Sequence, residues 1–340
     1  MTKKLDVRSL TFEIADALLD GNRRALARVI TLIESTRGAD RILAESLLER
    51  LLPHSGNSFR LGISGVPGVG KSTFIEALGL HIIEEGHRIA VLAVDPSSPK
   101  TGGSILGDKT RMETLSRHPD AFIRPSPSRG TLGGVARRTR DVIMLTEAAG
   151  FDMVLIETIG VGQSEIAVAD LTDMFLLLLA PASGDDLQGI KKGIVEIADL
   201  IAVNKADGDL RADAERVKQD YQAALNLLHP PNENQPTRVM SCSSIEGSGV
   251  AEIWHAICTF RNQMRESGEM SSRRAAQAAT WMWNEISEEL LVQLRQDKAT
   301  ESLVLKLERD VIAGRISATA AARCIIKQFP LKPNKQKISS

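Results

Sequence analysis

An excess of charge of either sign is missing from this sequence: 42 lysine and arginine residues stand against 43 aspartate and glutamate residues, a formal net of -1. No whole-molecule field is therefore available to attract nucleic acid or an anionic membrane, and neither is expected as a partner. Any charged site must be local. Cysteine is scarce, with only Cys242, Cys258 and Cys324, scattered and odd in number; that is the pattern of a reducing cytosol, not of a disulfide framework. Long hydrophobic runs are lacking too. The densest, Met174 to Ala182, falls far short of the ~20 residues a membrane helix needs and reads as a strand buried on both faces. The first ten residues show no basic start, apolar block and small-residue cleavage site, and there is no internal repeat or low-complexity tract. What these absences leave is an expectation of a soluble, cytoplasmic, globular protein. Its 340 residues give room for one large domain with additions.

Three stretches differ in rhythm. From Leu10 to Leu52 apolar residues recur at helical spacing (Leu10, Ile14, Leu18; Leu26, Val29, Ile30, Ile33; Ile42, Leu43, Leu47), with Gly21 and Gly38 as breaks. After the polar connector Pro53 to Ser58, short apolar runs alternate with helical stretches. Strands are expected over 59–64, 88–95, 121–124, 152–157, 174–179, 200–204 and 237–242. That alternation predicts an α/β fold, a mainly parallel sheet covered by helices on both faces. Beyond about Phe260 the strands stop, and Ala279, Met282, Ile286, Leu290 and Leu294 form an apolar helical stripe, continued by 301–311 and by 317–329 with Ser317 as N-cap. The expected organisation is a helical extension over 1–56, an α/β domain over 57–262 and a helical arm over 263–340. The stripe could cover the main core or a second copy of the chain.

The run Gly65-Val66-Pro67-Gly68-Val69-Gly70-Lys71-Ser72 follows an expected strand and opens a helix beginning near Thr73. This is the order that a P-loop NTPase requires. Its glycines let backbone N–H groups converge on phosphate, and the helix N-terminus adds favourable potential. Lys71 should reach the β and γ phosphates, and Ser72 should give a hydroxyl to Mg²⁺, which prefers hard oxygen ligands. Acidic residues are then needed at neighbouring strand ends. Asp95 closes a strand, Asp108 lies in the loop Gly107-Asp108-Lys109-Thr110-Arg111, and Glu157 closes Val154-Leu155-Ile156 just before Gly160. Glu157 stands where many nucleotidases carry aspartate, so its contact with Mg²⁺ is left open between direct and water-mediated.

Asn204-Lys205-Ala206-Asp207 follows a late strand. A carboxylate at Asp207 can accept from the N1–H and N2 amine of guanine, whereas adenine would leave it unpaired. Ser243-Ser244-Ile245, after the last strand, is placed for a backbone N–H to meet the guanine O6. GTP and GDP are therefore the expected ligands. Hydrolysis needs a positioned water and cations at the γ phosphate: Gln163 and Glu165 are candidates for the first, and Lys109, Arg111, Arg137, Arg138 and Lys191 for the second. Arg137 and Arg138 read as a solvated helix face.

The phosphate loop, together with Val94-Asp95-Pro96-Ser97-Ser98, the run Thr101 to Met112, Ile123-Arg124-Pro125-Ser126-Pro127, Gly160-Val161-Gly162-Gln163-Ser164-Glu165 and Asp186 to Gly193, resembles the MeaB/ArgK family of GTPases. The resemblance runs through nearly the whole chain. It implies a metallochaperone-type GTPase that acts on an adenosylcobalamin-dependent acyl-CoA mutase, most directly methylmalonyl-CoA mutase, gating cofactor loading, protection and reactivation; adenosylcobalamin enters only through that partner. It also implies Mg-site and switch roles for Asp95, Asp108 and Glu157, a switch loop over Ser183 to Lys192 in which Lys191 reaches toward the nucleotide and couples it to the mutase, and homodimerisation through the helical arm; with Lys71 and Gln163 from the motifs above, Glu157 and Lys191 complete the expected catalytic set. Two rivals are a metal-insertion GTPase, which would call for clustered cysteine and histidine, and a kinase of amino acid transport components, which would need a phosphate acceptor.

Overall fold

A computed structural model of the chain describes residues 7–35, 37–94, 112–125, 132–158, 164–181, 192–228 and 237–329. Seven parallel strands form one sheet: β1 (Phe59–Gly65), β2 (Ile89–Val94), β3 (Ala121–Pro125), β4 (Met153–Thr158), β5 (Met174–Leu179), β6 (Leu200–Val203) and β7 (Arg238–Ser241), in the spatial order β3-β2-β4-β1-β5-β6-β7. Each lies within two residues of its expected position. The strands β2, β4, β5 and β6 are buried along their whole length, which is why they read as continuous apolar runs instead of alternating ones.

The two faces of β1 can be told apart by residue parity. Phe59, Leu61 and Ile63 join one core with Phe74, Ile75, Leu78 and Ile82 of the helix Lys71–Glu84 and with Trp254 and Ile257 of the helix Val250–Glu266. The even residues look the other way. Gly62 faces Val168 and Thr172 so tightly that a Cβ would sit about 3 Å from both, and Arg60 pairs with Glu147 at the end of the helix Leu132–Ala148.

Three helices precede the sheet, Val7–Leu19, Arg23–Glu34 and Gly38–Leu51. The second starts at Asn22, whose side chain accepts from the N–H groups of Arg24 and Ala25, and buries Leu26, Val29 and Ile30. The break expected at Gly38 falls just before it, since the second helix ends at Glu34 and Gly38 opens the third. The Arg23–Glu34 and Gly38–Leu51 helices pack on the helix Leu132–Ala148.

The chain divides into two compact units, 1–277 and 278–340, with the division inside the long helix Glu269–Gln296. In the second unit the helices Lys298–Ile312 and Ala318–Gln328 pack together, burying Leu307 and Ala321. Ser317 caps the last helix by accepting from the Ala320 N–H.

In the first unit, the residues that begin the helix Glu269–Gln296 are tied to the amino ends of the strands. Arg274 makes a two-pronged contact with Asp173, Nε to Oδ1 at 2.7 Å and Nη2 to Oδ2 at 2.6 Å. It also donates to the carbonyls of Gly56 and Ser58, each at 2.6 Å. Glu147 completes this end of the sheet by accepting from Arg60, the Ser58 hydroxyl and the Gly56 N–H.

Candidate active site

The phosphate loop leaves the carboxyl end of β1 and runs into the helix Lys71–Glu84. Two of its glycines are sterically required. A Cβ on Gly65 would lie 2.6 Å from the Leu178 carbonyl oxygen on β5, so the two strand ends approach too closely for any side chain. Gly70 caps the helix in the left-handed region, φ 92°, and a Cβ there would come 2.8 Å from Asn204 Nδ2. Between them Val69 is fully buried and anchors the loop, while Pro67 and Gly68 are exposed and Val66 is half-buried. Thr73 is exposed on the first helical turn.

Lys71 is almost wholly buried and its ammonium is held by the loop itself, donating to the carbonyls of Gly65 at 2.7 Å and Val66 at 3.3 Å. A fixed cation, a helix N-terminus and a run of loop amides thus share one small region, the arrangement that attracts a polyphosphate.

Next to it, the Ser72 hydroxyl lies 3.4 Å from Glu157 Oε1. Glu157, the last residue but one of β4, stands opposite Ile63 of β1 and Ala93 of β2 and is 5% exposed. A hydroxyl and a carboxylate side by side make a hard-oxygen donor pair, which fits Mg²⁺. Asp95, Asp108, Lys109, Arg111, Gly160, Gln163 and Lys191 lie outside the described residues. Glu165 is buried in the short helix Ser164–Ala169. Arg137 and Arg138 are not the solvated face that the sequence suggested. Both are half-buried and engaged in contacts, because their helix lies between the sheet and the N-terminal helices.

The Asn204-Lys205-Ala206-Asp207 segment follows β6 and lies against the phosphate loop. Asn204 Nδ2 donates to the Val69 carbonyl at 2.9 Å, and Lys205 Nζ donates to the Gly68 carbonyl at 2.7 Å. Lys205 adopts φ 61°, the only left-handed residue other than glycine among those described, a strained backbone of the kind that surrounding contacts must hold. Asn204 Oδ1 in turn accepts from the N–H and hydroxyl of Ser244. Asn204 is thus a brace joining three loops, a role that motif spacing does not reveal because its partners lie far away in sequence.

Asp207 is half-buried, with one carboxylate oxygen accepting from the Ser243 hydroxyl. The expectation that any N–H of 243–245 could meet a base is narrowed. Ser243 spends its N–H on the Ser248 carbonyl and Ser244 spends its own on Asn204, leaving Ile245, whose side chain is 81% exposed. Cys242 lies in the same loop cluster, its Sγ 3.7 Å from Asn204 Oδ1. Burial pushes its thiol up to about 12, so it is neutral there.

Among the described residues no helix is long and apolar enough to cross a membrane. The family described as methylmalonyl Co-A mutase-associated GTPase MeaB matches residues 26–299. A protein of Mycobacterium tuberculosis named as a probable GTPase is 51% identical over 314 residues, covering 92% of this chain and 94% of that one. The mouse protein named methylmalonic aciduria type A homolog, mitochondrial, is 48% identical over 322 residues, covering 92% of this chain and 78% of its own. The solved structure of an LAO/AO transport system kinase is 36% identical with a TM-score of 0.76, covering 96% of this chain and 98% of that one.

Proposed function

Because this chain belongs to the MeaB family of methylmalonyl-CoA mutase-associated GTPases, we propose that its GTP hydrolysis controls an adenosylcobalamin-dependent acyl-CoA mutase, most directly methylmalonyl-CoA mutase. In this reading the nucleotide state gates cofactor loading, protection and reactivation of that enzyme. The contact of the guanine-type segment with the phosphate loop, through Asn204 and Lys205, carries the nucleotide assignment. A ligand with phosphates at one end and a purine at the other would span both loops.

The roles follow from place in the sequence motifs and, for the described residues, in the fold. The amides of 65–70, with Lys71, Ser72 and Thr73 at the helix start, receive the β and γ phosphates. Lys71 exchanges its loop carbonyls for phosphate oxygens, so its charge is already in place when the triphosphate arrives. Asp207 accepts from the guanine edge while Ser243 orients it, and Ile245 offers the N–H that Ser243 and Ser244 do not. Ser72 and Glu157, with Asp95 and Asp108, would hold Mg²⁺, which when bound neutralises charge building up on the phosphate oxygens. Gln163 and Lys191 are assigned to the attacking water and to γ-phosphate charge, and Gly160 to sensing the γ phosphate.

The division into a helical extension, a GTPase domain and a helical arm is part of the same proposal, as is homodimerisation through the arm. Met282, Trp283, Ile286 and Leu290 are exposed apolar residues that share one face of the helix Glu269–Gln296 there, and such a face is stabilised by an apolar partner surface. A cytoplasmic setting goes with the scarcity of cysteine. The kinase alternative is favoured only by the name of the similar solved structure.

The test compares GTP turnover of the purified chain alone and with an adenosylcobalamin-dependent mutase. A rate that rises with mutase is expected, and a rate unaffected by any such mutase would overturn the proposed partner. For the nucleotide assignment, Asp207→Asn is expected to weaken GTP binding by ~10²-fold or more, since a site built around paired polar groups rejects the mismatch strongly. Equal affinity of the native chain for ATP and GTP would overturn it.

A further inference from the structure

We propose that the hydroxyls of Thr158 and Ser64 form a latch that sets Glu157 against Ser72, making both of them positioning residues for the Mg²⁺-nucleotide group; this rests on the nucleotide assignment above. Thr158 Oγ1 donates to Ser64 Oγ at 2.8 Å, and both residues are fully buried. Each is one residue away from a group at the phosphate end. Ser64 precedes Gly65, whose carbonyl holds the Lys71 ammonium, and Thr158 follows Glu157, whose carboxylate meets Ser72.

The parallel register explains why this pair can act as a latch. Ile63 stands opposite Glu157, so Ser64 and Thr158 come next and point to the other face of the sheet. On that face the neighbouring even position, Gly62, is packed against Val168 and Thr172. Two hydroxyls buried against such a wall cost free energy unless they bond to each other, and valine or alanine would fill the same space without that cost. What the hydroxyl pair adds is a directional tie between the carboxyl ends of β1 and β4, just past the last pair of their shared ladder, Ile63 opposite Glu157; each strand is still paired on its other side, Gly65 with Leu178 of β5 and Thr158 with Val94 of β2. Without it, β1 and β4 are held to each other at this end only through those outer neighbours, and Glu157 can shift relative to Ser72 by a few tenths of an ångström. Such displacement matters little to stability and a great deal to a metal-phosphate geometry.

The experiment uses the full chain with Thr158→Val, Thr158→Ser, Ser64→Ala and the Ser64→Ala/Thr158→Val double variant. Two quantities are read: the factor by which Mg²⁺ tightens binding of a non-hydrolysable GTP analogue in calorimetry, and kcat. Thr158→Val and Ser64→Ala are each expected to lower both by about tenfold, with thermal midpoints lowered by the one hydroxyl left unpaired and restored toward the native one in the double variant. Thr158→Ser should restore both, and the double variant should be no worse than the poorer single, because both remove the same bond. Native Mg²⁺ dependence in Thr158→Val and Ser64→Ala overturns the latch, as does a loss that Thr158→Ser shares in full or that simply tracks unfolding. Should Thr158→Val fail to fold, Ser64→Ala gives the same reading from the other partner. A native chain with no Mg²⁺-dependent analogue binding would instead overturn the nucleotide assignment itself.

Discussion

Replacing Arg274 with methionine keeps the aliphatic stem and removes the guanidinium, and its effect can be worked out from the contacts. Four hydrogen bonds are lost, two to Asp173 and one each to the carbonyls of Gly56 and Ser58. The Asp173 side chain is 0% exposed and that of Arg274 only 18%, so water cannot replace the missing charge. Asp173 would still accept from the Arg60 N–H and little else. Removing one partner of a buried ion pair costs about 3–5 kcal/mol, a large share of the ~5–15 kcal/mol that holds a typical domain folded. Urea denaturation followed by circular dichroism should show the midpoint falling accordingly. Arg274→Lys, which keeps charge but not the fork geometry, should fall between the two. Asp173→Asn in the Arg274→Met background should recover part of the loss, because the uncompensated charge is gone. A cost below ~1 kcal/mol for Arg274→Met, the size expected of an exposed pair, would refute the argument that this contact is desolvated.

Gly70→Ala forces a Cβ into left-handed geometry, costing ~1–2 kcal/mol, and also toward Asn204; GDP affinity should therefore fall along with the thermal midpoint, and a stability loss with unchanged affinity would separate the brace from the site. For the thiols, a chromogenic aromatic disulfide should react first with exposed Cys324, more slowly with half-buried Cys258 and with buried Cys242 only on unfolding. Fast labelling of Cys242 in the native protein would mean that the loop following β7 opens. Burial raises the Asp199 carboxyl despite the opposing Arg273 guanidinium and Phe175 N–H. The folded state thus holds that proton more tightly than the unfolded chain does, and the group's contribution falls as pH rises from the ordinary carboxylate value through the raised one. Asp199→Asn should flatten this decline in stability curves taken across the acid range, and an unchanged slope would contradict it.

The fold was legible because the strands are apolar on both faces and short, so that Met174–Leu179 or Met153–Thr158 could hardly be anything else. The phosphate loop and the Asn204 segment were legible because their chemistry is local: glycines, a lysine and a carboxylate within a few residues. What spacing could not give was the set of partners. Asn204 meets Val69 across 135 positions, Arg274 meets Asp173 across 101, and Thr158 meets Ser64 across 94. Each of these contacts exists only once the sheet order has brought distant strand ends together. The assignment of Arg137 and Arg138 as solvated went astray for the same reason. A charged helix face looks identical in sequence whether it meets water or the N-terminal helices.

The register between β1 and β4 also bears on which changes in length the chain can tolerate. A slip of one residue would exchange the outlooks of Glu157 and Thr158, turning a carboxylate into the dry layer beside Val168 and a methyl-bearing alcohol toward the phosphates. Insertions or deletions near Gly150 therefore have to leave the phase of the following strand untouched, whereas the stretch after Leu228 carries no such constraint from these two residues. In related chains, differences in length should accumulate in the second place and be purged from the first.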